Sequence, residues 1–107
     1  MLEYFKKLLC DELHGAKEYV KNALEFKSTY PEWSKTFLSM SAMELEHASN
    51  LYKMAEASYK ETAESYTTPP EYLHEMWEEI VKMYSEKTAK VKYMHEAYNK
   101  WHKMNLH

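Results

Sequence analysis

An all-α, three-helix antiparallel bundle, completed by dimerisation, is the architecture this sequence predicts. Three observations predict the helical bundle. One Gly and three Pro in 107 residues leave little material for strands or long loops. Met, Leu, Ala, Glu and Lys are abundant, which favours helix. Two short punctuation marks, Ser28-Thr29-Tyr30-Pro31-Glu32 and Thr67-Thr68-Pro69-Pro70-Glu71, divide the chain into three long segments.

The first segment, about residues 2–28, reads in heptads with a seam of Phe5, Leu9, Glu12, Ala16, Tyr19, Ala23 and Phe26. The second, about residues 30–66, opens on Thr29 and Glu32, a capping-box spacing with Pro31 in the first turn. Its seam is Phe37, Met40, Glu44, His47, Leu51 and Met54, and a second stripe holds Leu38, Leu45, Tyr52, Tyr59 and Tyr66. Two stripes mean neighbours on two sides, either the flanking helices or a partner chain. The third segment, about residues 69–104, takes Thr68 as its cap. It carries Leu73, Trp77, Ile80, Tyr84, Val91, Met94, Tyr98 and Trp101 on one stripe, with Glu79 and Glu86 on another. Helices two and three would each be roughly 50 Å long, and their short connections make neighbours antiparallel.

Composition excludes several classes. A net charge of −3, with fourteen Lys and no Arg, gives no push toward nucleic acid. One cysteine, Cys10, cannot form an intramolecular disulfide and fits a reducing, cytoplasmic setting. No run has the length and apolarity of a membrane span or a signal sequence.

The chemistry sits on the seams. Glu12, Glu44 and His47 occupy positions where a packing helix places Leu or Ile, and burying them costs several kcal/mol unless they are paired or metal-bound. Antiparallel pairing about the first turn sets His47 opposite Glu12, with Glu44 one turn away. Pairing about the second brings Glu86 to the same level. Carboxylates with one imidazole suit iron or manganese, and open coordination positions make such a site reactive. One chain offers too few ligands for two metals, and a two-fold dimer would double them. Glu-x-x-His occurs twice, at Glu44/His47 and Glu71/His74, against about one occurrence expected from composition. The second pair falls in a helix first turn, where capping explains it.

Asp11-Glu12-Leu13, then Tyr30-Pro31-Glu32, then Glu44-Leu45-Glu46-His47 resembles, in order and spacing, one half of the ferritin-like superfamily. The resemblance covers about residues 8–58 and is strongest to the encapsulated ferritins, short chains whose iron site forms between protomers. It implies Glu12, Glu44 and His47 as iron ligands, Glu44 bridging, and Fe(II) oxidation by oxygen or peroxide. The third segment is longer than that family's last helix, and the C-terminus reads as helix to its end, with no targeting tail. A single cysteine also rules out a four-thiolate iron site. The rival expectation is a non-catalytic helical adaptor, of phage or mobile-element type, whose protein partner docks on Tyr52, Tyr59 and Tyr66. A ferritin-like scaffold that has lost its metal is a third.

Overall fold

In the computed structural model, which describes residues 1–104, three α-helices run α1 (Leu2–Phe26), α2 (Pro31–Glu64) and α3 (Glu71–Met104). The bundle is all-α, with no strand among the described residues. The expectation that the last helix runs to the final residue concerns 105–107, which lie outside the described residues. Among the described residues, no helix is long and apolar enough to cross a membrane.

Both turns sit where the punctuation predicts, but the caps differ. Tyr30, not Thr29, precedes α2 and makes no side-chain cap, and Pro31 opens the helix. Pro31 lacks an N–H, so one orphan donor of the first turn is absent from the start. The Tyr30 N–H closes the turn on the Phe26 carbonyl at 2.9 Å. Likewise α3 begins at Glu71 rather than at residue 69, with the Leu73 N–H on the Pro70 carbonyl at 3.1 Å.

The innermost stripes are displaced from the predicted seams. On α1 the buried residues are Leu2, Phe5, Leu9, Leu13, Ala16, Val20 and Ala23, so Leu13 and Val20 take the central places expected for Glu12 and Tyr19. On α2 the buried residues are Ser34, Ser41, Ala48 and Ala55, a strict heptad of small side chains one residue beyond Trp33, Met40, His47 and Met54. Small residues let α1 and α2 approach closely, and these two helices form the dominant pair. Ser41 Oγ donates to the Ala16 carbonyl at 2.6 Å, and Ser34 Oγ donates to that of Ala23. Each hydroxyl proton is thereby spent, so the 2.8 Å contact of Ser41 Oγ with His95 Nε2 is donated by the imidazole. By the same argument the Tyr98 hydroxyl donates to Ser34 Oγ across 3.1 Å. His95 is half-buried and fastens α3 to the α1–α2 pair.

α3 buries Leu73, Ile80, Val91 and Tyr98, with a break in the heptad between Ile80 and Val91. Toward the α2 C-terminus it is held by stacked rings: Tyr59 on Trp77 at 5.3 Å, Tyr52 on Trp77 at 5.4 Å, and Tyr52 on Tyr84 at 4.1 Å. The second stripe of α2 thus faces α3. Among the described residues, no helix lies over the opposite flank of the α1–α2 pair.

Candidate metal centre

Glu12 reaches the uncovered flank from α1, and Glu44 and His47 reach it from successive turns of α2. Each lies beside the buried stripe rather than on it. The one-residue offset from Leu13 and Ala48 brings these side chains to the rim of the helix pair. One ligand atom from each lies within 4.8 Å of the other two, a spacing that a single ion can span. His47 Nδ1 is 3.6 Å from Glu12 Oε2 and 3.8 Å from Glu44 Oε1, too long for hydrogen bonds. The Glu12 and Glu44 side chains are 30% and 25% exposed and that of His47 51%, so the cluster opens outward.

Two features suit a cation. Glu12 Oε2 is buried, and apart from the Glu44 carboxyl when that is protonated, no donor among the described residues reaches it. A buried carboxylate oxygen without a partner carries a desolvation cost that a bound cation would offset. The second feature is the room left for Glu44. A Cβ built on Gly15 would lie 3.4 Å from Glu44 Oε2 and 3.7 Å from its Cδ, so the carboxylate rests over bare α1 backbone. The missing side chain at Gly15 leaves the Glu44 carboxylate room against α1.

The electrostatics agree. The Glu44 carboxyl is pushed from its ordinary 4.5 up to about 7. The first cause is the hydrogen bond a shared proton makes with Glu12. Burial and repulsion from the Glu12 carboxylate follow, and His47 opposes them. Two carboxylates this close do not both ionise readily, and a cation between them is the alternative to the proton.

The structure thus brings together three of the four residues expected from the sequence. Glu86 is not among them: it is exposed on α3 and lines a separate cleft with His14 and Lys17. The Glu71/His74 pair is not a site either, because His74 engages Glu78 at 3.0 Å and the Tyr59 hydroxyl at 3.3 Å. Tyr19, one heptad from Glu12, stacks against Phe37 at 6.3 Å.

An apolar surface adjoins the cluster. Phe26, Trp33, Thr36, Phe37 and Met40 line a groove of about 320 Å³. Trp33 and Tyr30 stack at 4.1 Å although they are 53% and 49% exposed.

A search of curated proteins and a search of solved structures each found no match to the chain. Among protein families, the model described as Rubrerythrin matches residues 5–107, almost the whole sequence. With three helices, an inward-leaning Glu on the first and Glu-x-x-His on the second, the chain belongs to the rubrerythrin family of the ferritin-like superfamily.

Proposed function

We propose that the chain is a ferritin-like iron-binding protein whose di-iron site is assembled from two protomers, and that it oxidises Fe(II). Membership of the rubrerythrin family supports iron as the metal. The observation that carries the reading is the Glu12–Glu44–His47 cluster, with a buried carboxylate oxygen, on a face that no described helix of its own chain covers.

Three ligands fill about half the coordination sphere of iron or manganese. A second copy related by a two-fold axis would bring the other half, because an isologous contact repeats each residue on both sides. Glu44 would bridge, and Glu12 and His47 would be terminal. Bound iron would supply the electrons for reducing oxygen or peroxide. The protein's own contribution is positional: Gly15 admits the Glu44 carboxylate, and the apolar rim would exclude water once covered. Glu44 would give up its proton as metal enters, so loading would release acid. Manganese satisfies the same donor set and is the metal to compete against iron.

The total accessible surface, 7426 Å², supports a missing partner. A folded monomer of 12.9 kDa would expose about 6,300 Å². The excess is of the order that one protomer contributes to a stable interface, about 800 Å². The adaptor reading has less support, since Tyr52 and Tyr59 stack on α3.

Native mass spectrometry after anaerobic Fe(II) loading tests the proposal, beside His47→Ala. The expected species is an even oligomer with about one iron per chain, lost in the variant. A metal-free species indifferent to the substitution would sink it.

A further inference from the structure

The cleft between α1 and α3 holds a second concentration of charge, of opposite sign. Lys17 from α1 and Lys87 and Lys90 from α3 line it, with His14 beside them and Leu13 and Val91 among its apolar walls. Its volume is about 360 Å³, within the range of small-molecule sites, roughly 300–1,000 Å³. The chain as a whole is acidic, so three lysines at one cleft run against its average.

Two other lysines on these helices are paired, Lys6 with Glu79 at 3.0 Å and Lys21 with Glu18 at 3.7 Å, and the remaining described ones do not share a cleft with a second lysine of the facing helix. Among the described residues, Lys17, Lys87 and Lys90 make no ion pair. Glu86 is the one acid lining the cleft. Lys17 and Lys90 line this cleft from opposite helices. The neighbouring Lys90 amine, then its repulsion, then desolvation hold the Lys17 ammonium below its ordinary 10.5. A tetrahedral oxyanion with two negative charges would accept from both groups at once and replace repulsion by attraction.

We propose that the α1–α3 cleft binds a phosphate-class oxyanion from solution through Lys17, Lys87 and Lys90. The site is on the α3 side of α1, apart from the Glu12–Glu44–His47 cluster, and its occupancy does not require metal. Glu86 weakens it by repelling the ligand.

The experiment is a titration of the full chain, kept free of iron so that ferric phosphate cannot form, with inorganic phosphate at constant ionic strength. NMR follows the Leu13 and Val91 methyl groups and the lysine ammonium signals. Saturable shifts are expected, weakened about tenfold or more in Lys17→Met and Lys90→Met and unchanged in Lys6→Met. Glu86→Gln should tighten binding, and phosphate should raise the titration midpoint of Lys17 while leaving Lys6 in place. A response matched by chloride, or equal in all variants, would overturn the proposal. So would binding to phosphatidylglycerol vesicles without any response to inorganic phosphate.

Discussion

The Glu44 carboxylate lies over Gly15, and that gives this glycine two separable effects. Glycine inside a helix costs about 0.5–1 kcal/mol relative to alanine. The Cβ of Gly15→Ala would meet Glu44 Oε2 at 3.4 Å, an ordinary contact. Gly15→Ala should therefore stabilise the metal-free protein by about 0.5–1 kcal/mol in thermal melts. Gly15→Val puts methyl groups where the carboxylate lies, so Co(II) titration should show weakened binding while the fold survives. Glu44 also sets a pH dependence. Its folded pKa of about 7 is above the ordinary 4.5, so between those values the folded state holds more protons than the unfolded. Its stabilising contribution is full below about 4.5 and is lost as pH rises through about 7. His95 acts oppositely, since burial lowers its pKa and its contribution is lost as pH falls through that lowered value. Urea midpoints of metal-free wild type and Glu44→Gln, compared from about pH 5 to about pH 8, cancel the His95 effect. Wild type should lose stability relative to the variant as pH rises, and parallel curves would contradict the assignment. These residues show what the sequence could disclose at this scale. Glu12, Glu44 and His47 were legible as polar groups on apolar seams. That Glu44 is the group lying over Gly15 was not, because it depends on how α2 lies against α1.

The helix boundaries were readable because Pro31, Pro69 and Pro70 punctuate an otherwise helix-forming chain, whereas the caps were not. Neither Thr29 nor Thr68 begins its helix, since a proline at the boundary does without a side-chain acceptor. The central stripe of α2 was misread by one residue for a physical reason. Ser34, Ser41, Ala48 and Ala55 carry almost no apolar signal, so the larger Met40 and Met54 beside Ser41 and Ala55 stood out. Those large residues do form a packing stripe, but one without a helix of this chain over it. Ser41 shows what the small stripe adds. It bonds to the α1 backbone and accepts from His95, so one side chain joins all three helices. Ser41→Ala would leave the His95 N–H without its acceptor in a half-buried place, and should cost about 1–3 kcal/mol in urea denaturation. Ala48→Leu should cost a similar amount, about 1–3 kcal/mol, by forcing α1 and α2 apart. A loss below about 0.5 kcal/mol for both would mean that the helices slide easily and that the stripe does not fix their register.

At the scale of the molecule, three helices make a rod of 62 × 18 × 15 Å with a radius of gyration of 17.3 Å. A compact globule of this length would have about 13 Å. One consequence is a long flank of α2 with Trp33, Met40, His47 and Met54 at heptad spacing. Trp33 and Met54 are more than half exposed. His47 is the one polar member of that stripe, which ties the metal cluster to the surface a second copy would cover. The link can be cut at one end only. Met54 is more than half exposed and Trp33 stacks on Tyr30 and Phe26, so Met54→Glu should change monomer stability by no more than about 0.5 kcal/mol and Trp33→Glu by about 1–2 kcal/mol, with the fold kept. The double variant keeps Glu12, Glu44 and His47. If the site is shared, sedimentation should find it monomeric, and iron binding should fall with the dimer although every ligand is present. Raising protein concentration should then recover neither property, because two like-charged carboxylates would face each other across the two-fold axis. A monomer that still binds iron with wild-type affinity would place the whole site within one chain and remove the reason for a second copy.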